Sequence, residues 1–203
     1  MALVKYNNNS ISAVTALDSV PSGDMVLLNT NTITSGVASS SFTSNIDSTY
    51  NTYIFKYINI HGASDNVDFT FNLSTDGGSN YNVTKTTTGF HAYHFENDNG
   101  QSLAYRPEMD LAQSTGYQVL CEDLGNGNDE SGSGTLMLFS PSSTTFVKHF
   151  INVSNYVNGS DLSENSYHAG YGNTTSAVDA IDFKFASGNI DSGVIKMYGL
   201  RES

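Results

Sequence analysis

The acidic segment 123–134 contains the side chains best suited to hold a metal ion. Calcium prefers several oxygen ligands, which acidic and amide side chains at alternating loop positions can supply. The candidate ligands are Asp123, Asn126, Asn128 and Glu130. The spacing departs from an EF-hand, because Gly125, Gly127 and Gly134 stand where that loop has ligands. The sequence predicts a solvated loop without a cofactor, with an irregular calcium site as the alternative.

The histidines give no second metal candidate. His91 and His94 are three residues apart, and on a strand they would point to opposite faces. His94 and Glu96 would share a face, but a metal site normally needs three or four ligands. We therefore expect no metal at the histidines.

The chain lacks the motifs that mark common catalytic sites. Gly125 and Gly127 are followed by Asp129 and Glu130, which would repel a phosphate, and there is no Gly-x-Ser-x-Gly motif. The single cysteine, Cys121, excludes an intrachain disulfide and is expected to be a small buried apolar side chain. We therefore predict that the chain is not an enzyme.

The stretch 155–173 combines aromatic and polar side chains in a loop-rich sequence. Aromatic platforms with neighbouring amides and acids are a common means of binding carbohydrate, and loops often carry recognition residues. The residues of this possible recognition surface are Tyr156, Asn158, Asp161, Tyr167, His168 and Tyr171. The alternative is ordinary packing of tyrosines at the edge of a sheet. The absence of tryptophan weakens the glycan-binding interpretation.

The elements that must position these residues are strands. Apolar residues alternate with polar ones over 67–73, as in a half-buried strand, and they alternate again over 181–185. The segment 53–60 is apolar on both faces and is typical of a central strand. About nine such segments are separated by clusters of Gly, Asn, Ser and Asp, and 107–113 gives the only helical signal.

This pattern predicts an all-β antiparallel sandwich or jelly roll. The sandwich domain is expected to span 25–203 and to follow a polar N-terminal arm at 1–24. Within the domain, Ser74 to Tyr81 resembles the Asp-box hairpin of sialidases, in which the aspartate caps the turn. A single copy of that hairpin and two arginines do not make a sialidase site.

The charge balance excludes several partners. The chain of 203 residues has a formal net charge of −12, from 8 basic and 20 acidic residues. No basic stripe is available to bind nucleic acid, and anionic membrane surfaces are disfavoured. No window is apolar enough to span a membrane. The first residues lack a signal-peptide pattern, so we expect folding in a cytoplasm.

Several segments resemble small virion structural proteins of marine tailed bacteriophages. The resemblance covers 1–11, 111–117, 141–150, 173–184 and the closing run Gly193-Val194-Ile195-Lys196-Met197-Tyr198-Gly199-Leu200.

This resemblance implies a structural component of a virion that is assembled in the host cytoplasm. The first hypothesis is a capsid decoration (cement) protein, a homotrimer that contacts the major capsid protein or other virion proteins and attaches through its arm. The alternative is a tail or fibre adhesin that binds a host-surface glycan.

Overall fold

The computed structural model describes residues 25–201. The arm predicted at 1–24 lies outside the described residues. The described chain forms one 3-10 helix, Pro107–Met109, and twelve strands. The strands are β1 Met25–Ile33, β2 Ser40–Phe42, β3 Thr52–Gly62, β4 Val67–Ser74, β5 Lys85–Phe95, β6 Gln101–Tyr105, β7 Gln118–Leu124, β8 Gly132–Phe139, β9 Lys148–Asn158, β10 Leu162–Gly172, β11 Ala180–Phe185 and β12 Ile190–Leu200.

All strand pairings are antiparallel and build two layers. Hydrogen bonding links all twelve strands into one sheet, which we divide into two runs of neighbouring strands. The run β1-β12-β3-β8-β9-β10-β5-β6 is here called the large sheet, and the run β7-β4-β11-β2 is called the small sheet. One pairing joins them, where Leu124 on β7 lies opposite Asn158 on β9. The predicted all-β, antiparallel fold class is therefore confirmed.

Aromatic side chains fill the space between the two sheets. Phe183 on β11 lies with its ring centroid 5.7 Å from that of Phe55 on β3. A second inter-sheet contact joins Phe71 on β4 to Phe150 on β9, edge to face at 5.0 Å. Edge-to-face aromatic pairs add to the free energy gained from burying the rings. The sandwich core thus combines phenylalanine and tyrosine rings with buried aliphatic side chains, and it contains no tryptophan.

The prediction that β4 is half-buried is wrong. Its apolar side chains face the core, but Thr70, Asn72 and Ser74 on its other face are buried as well. The side-chain amide of Asn72 donates hydrogen bonds to the carbonyl oxygens of Tyr81 (2.7 Å) and Thr115 (3.0 Å). Segments outside the sheet therefore cover this polar face, and its buried amide is hydrogen-bonded as burial requires.

Three strands escaped the sequence pattern: β2, β6 and β10. Strand β10 is the most informative of the three, because most side chains on both of its faces are polar. Its inward positions include Glu164, Ser166 and His168, all buried. A strand whose buried side chains are polar has no apolar alternation, so the stretch 155–173 resembled a loop when it is in fact the β9–β10 hairpin.

The helix predicted at 107–113 is reduced to a single 3-10 turn at its start. The residues that follow Met109 pair instead with the free edge of β5. The N–H of Thr87 donates to the carbonyl oxygen of Leu111 at 2.9 Å, and that of Lys85 donates to Ser114 at 2.7 Å. Backbone pairing with β5 replaces the second helical turn.

The Asp-box-like turn has the local geometry that its sequence predicts. The hydroxyl of Ser74 donates to Oδ1 of Asp76 at 2.7 Å, and the backbone N–H of Asn80 donates to the same oxygen at 2.9 Å. The side-chain amide of Asn80 donates to the other carboxylate oxygen at 2.7 Å. These hydrogen bonds lower the pKa of Asp76 to about 2, and the bond from the Asn80 side chain has the largest effect.

Candidate functional site

The solvent side of the large sheet, here called the outer face, carries an unusual number of exposed apolar side chains. Nine large hydrophobic residues of the described chain are exposed, and eight of them lie on this face. They are Met25, Leu27, Ile58, Phe90, Leu103, Tyr105, Ile151 and Tyr167. The ninth, Phe146, lies in the loop before β9. Exposed apolar side chains concentrated on one face of a folded protein are a common feature of interaction sites.

Strand register lines up three of these side chains across the sheet. Phe90 on β5 lies opposite Tyr105 on β6 and opposite Tyr167 on β10. Directly opposite residues of an antiparallel pair bring their side chains into contact. The rings of Phe90 and Tyr167 accordingly stack, with centroids 4.9 Å apart and an interplanar angle of 6°.

The outer face also differs in charge from the rest of the molecule. The eight strands of the large sheet contain two of the 20 acidic residues of the chain, Glu164 and Asp191. Glu164 points inward and is buried, and Asp191 lies at the start of β12. Two outward positions on the neighbouring strands β12 and β3 instead carry Lys196 and Lys56, which are directly opposite each other. The strands of this face therefore carry few carboxylates. Two acidic side chains from outside the strands meet it at its β5–β6 end, where Asp110 accepts the hydroxyl hydrogen of Tyr105 and Asp98 lies 3.1 Å from Nε2 of His94.

The recognition surface predicted within 155–173 does not form one surface. Because strand residues alternate between faces, the β9–β10 hairpin divides the set. Tyr156, Asn158 and His168 point inward and are buried. Asp161 lies in the hairpin turn with a positive φ of 57°. Tyr167 and Tyr171 share the outer face, so the predicted set is corrected to these two tyrosines.

The predicted calcium loop is held by hydrogen bonds within itself and to the segment 65–68. The carboxylate of Glu130 accepts a hydrogen bond from the N–H of Gly127. The N–H of Asn126 donates to Oδ1 of Asp65 at 3.2 Å, and that of Asp123 donates to Oδ1 of Asp68 at 2.9 Å. Asn128 lines a shallow surface pocket with Glu130. In the part of the chain that the structure describes, neither Asp123 nor Glu130 belongs to a close group of three metal-ligating side chains. Calcium binding here stays a prediction.

A different group of potential ligands lies inside the sandwich, and sequence reasoning missed it. His91 on β5, Glu122 on β7 and Glu164 on β10 place their ligand atoms within 4.8 Å of one another. All three residues are buried. We call this group the buried cluster. It is the one group of this kind within residues 25–201.

Hydrogen bonds hold the carboxylates of the buried cluster in place. Oε1 of Glu164 lies 2.5 Å from Nδ1 of His91 and accepts the hydroxyl hydrogen of Tyr156 at 2.7 Å. Glu122 forms an ion pair with Arg106. Burial raises the pKa of Glu122, and the hydrogen bond from Arg106 opposes that rise. The cluster is thus a polar, charge-bearing centre between the two sheets.

Comparisons with protein families, with curated proteins and with solved structures find no match for this chain. No helix among residues 25–201 combines the length and the apolar character needed to cross a membrane.

Proposed function

We propose that this chain is a non-enzymatic structural protein of a tailed-bacteriophage particle, and specifically a decoration protein that assembles as a homotrimer on the head. The observation that carries the assembly part of this proposal is the set of exposed apolar side chains on the outer face, whose strands carry few acidic residues. The resembling sequence segments carry the phage part.

The outer face supplies a driving force for association. Leu103 is 73% exposed and Tyr105 is 60% exposed. Removing such side chains from water contributes about 25 cal/mol per Å² of apolar surface. Eight strands spaced about 4.8 Å apart make a face roughly 30 Å wide. A face of that width can supply the roughly 800 Å² per partner of a standard protein interface.

Charge favours a second copy of this chain as the occupant. Each copy carries a formal net charge of −12, so two copies that met through carboxylate-bearing surfaces would repel each other. The outer face avoids this repulsion, because its outward strand positions offer apolar and amide groups together with Lys56 and Lys196. Self-association through this face therefore brings few like charges together.

Attachment to the particle is assigned to the segment 1–24, which lies outside the described residues. It precedes β1, an edge strand of the large sheet. A chain that continues from a sheet edge is suited to adding a strand to a neighbouring sheet. A protein that binds only the assembled lattice stabilises that lattice by mass action.

Quantitative mass spectrometry of purified particles tests the location on the head. A decoration protein is expected at a copy number comparable to that of the major capsid protein. A copy number typical of a tail, a fibre or a single vertex would contradict the decoration proposal.

A tail or fibre adhesin that binds glycan is the second candidate. The observation in its favour is the exposed aromatic side chains on the outer face, among them Tyr167, with the half-buried Tyr171 on the same face. Glycan-array binding that is lost in Tyr167→Ala, but retained in the loop variant Phe146→Ala, would support it. Absence of binding to any glycan would remove this candidate.

A further inference from the structure

We propose that His91, Glu122 and Glu164 bind one divalent transition-metal ion, with zinc as the probe. This inference concerns the interior of the sandwich. It is independent of the outer face and of the phage assignment.

The donor set suits such an ion. One imidazole and two carboxylates are ligands that zinc accepts at about 2.0–2.2 Å, usually with four ligands in total. The three donor atoms already lie within 4.8 Å of one another. Two carboxylates and a neutral imidazole balance the charge of a divalent cation. Three protein ligands leave one coordination position for a further group.

His168 provides an independent sign that the site is incomplete. It is 2% exposed, and neither of its ring nitrogens has a hydrogen-bond partner. A buried polar group without a partner is costly and calls for an explanation. The ring of His168 lies over Gly89, and it is near enough to His91 for the two imidazoles to interact electrostatically. An unpartnered imidazole beside the buried cluster is thus available to a bound ion.

Arg106 serves as the counter-charge of the cluster. Its guanidinium group forms one ion pair with Glu122 and another with Glu108, where Nε lies 2.7 Å from Oε1. The side chain of Arg106 is partly exposed, and that of Glu108 more so. A metal ion that enters from this side displaces the guanidinium group from Glu122 and leaves it paired with Glu108.

The ion would link the two sheets. Glu122 belongs to β7 of the small sheet, whereas His91 and Glu164 belong to the large sheet. The backbone joins β7 to the large sheet at a single pairing. Metal coordination at this junction would therefore cross-link the two sheets where few backbone hydrogen bonds join them. Binding to the folded state alone would also stabilise the fold.

The test uses the full chain after chelator treatment and dialysis, followed by zinc titration with calorimetry and elemental analysis. We expect one zinc ion per chain. Glu164→Gln and His91→Asn should each lose that ion. The matched controls, Glu96→Gln and His94→Asn, are both at exposed residues outside the cluster and should keep it. Failure of the wild type to retain zinc, or equal retention in Glu164→Gln, would overturn the proposal.

A spectroscopic measurement decides the question even where a cluster variant fails to fold. X-ray absorption of the wild-type zinc complex should show nitrogen and oxygen ligands with at least one imidazole. Sulfur coordination would point to Cys121 and overturn the proposal. A shell of oxygen ligands alone would overturn it as well.

Discussion

Phe90 and Tyr167 stack almost parallel on the solvent side of the large sheet, with ring centroids 4.9 Å apart. Two aromatic rings that face water in this way gain little from folding alone, because the sandwich core lies on the other side of the sheet. Together with Leu103 and Tyr105 they make a face whose apolar area is unused within one chain. This relationship connects the fold to the proposed assembly function.

The aromatic core should depend strongly on Phe183. Its ring contacts those of Phe42, Phe55, Phe69 and Phe71. Phe183→Ala leaves a cavity between the sheets and should lower the free energy of unfolding by about 3–5 kcal/mol. Urea denaturation measures this change. Phe146→Ala, at a residue that is 70% exposed, should change stability by less than about 0.5 kcal/mol. Equal effects of the two substitutions would contradict the assigned core.

Lys85 should make the protein more stable as the pH rises above neutrality. It is fully buried, and burial lowers its pKa to about 7. Its ammonium group donates hydrogen bonds to Oδ1 of Asn72 and, at 2.8 Å, to the carbonyl oxygen of Val83. Between pH 7 and the unfolded pKa of about 10.4 the unfolded state binds more protons, so raising the pH favours folding.

Lys85 can raise the free energy of unfolding by at most about 1.4 kcal/mol per pH unit. It is best measured between about pH 7 and 8.5, because above that range ionisation of Cys121 in the unfolded state acts in the opposite direction. Burial keeps the pKa of the folded Cys121 thiol raised. Chemical denaturation across this range should give a smaller increase for Lys85→Met than for the wild type. An unchanged slope in Lys85→Met would assign the effect to another group.

The turn at Asp76 should be sensitive to acid. Hydrogen bonds from Asn80 and Ser74 lower the pKa of Asp76 to about 2, whereas an unfolded aspartate titrates near about 3.9. The resulting stability is present above about pH 3.9 and is lost as the pH falls through this interval. In an NMR titration of the Asn80→Ala variant, the pKa of Asp76 should rise towards the unfolded value. In the control variant Ser79→Ala, the pKa of Asp76 should stay at about 2.

The fold class could be predicted because alternation records which strand face meets an apolar core. The predictions at 67–73 and 181–185 correspond to β4 and β11, whose apolar side chains meet in the core. The same rule failed for β10, because its inward side chains are polar. Burial against other polar groups leaves no apolar signature in the sequence.

The buried cluster could not be predicted from spacing. His91 and Glu164 are 73 residues apart, and only the pairing of β5 with β10 brings them together. The sequence held one indication of it: on a strand, Glu164 points to the same face as the apolar Leu162. A carboxylate in an inward phase indicates a buried partner, but the partner itself depends on strand register, which the sequence does not reveal.

The oligomeric state tests the central claim most directly. Analytical ultracentrifugation of the wild-type chain should give a species of three times the 21.8 kDa chain mass. Leu103→Asp introduces a carboxylate into the outer face and should yield a monomer with unchanged circular dichroism. Phe146→Asp, at a loop residue of nearly equal exposure, should remain a trimer. A monomeric wild type, or a Leu103→Asp variant that still forms trimers, would contradict assembly through the outer face.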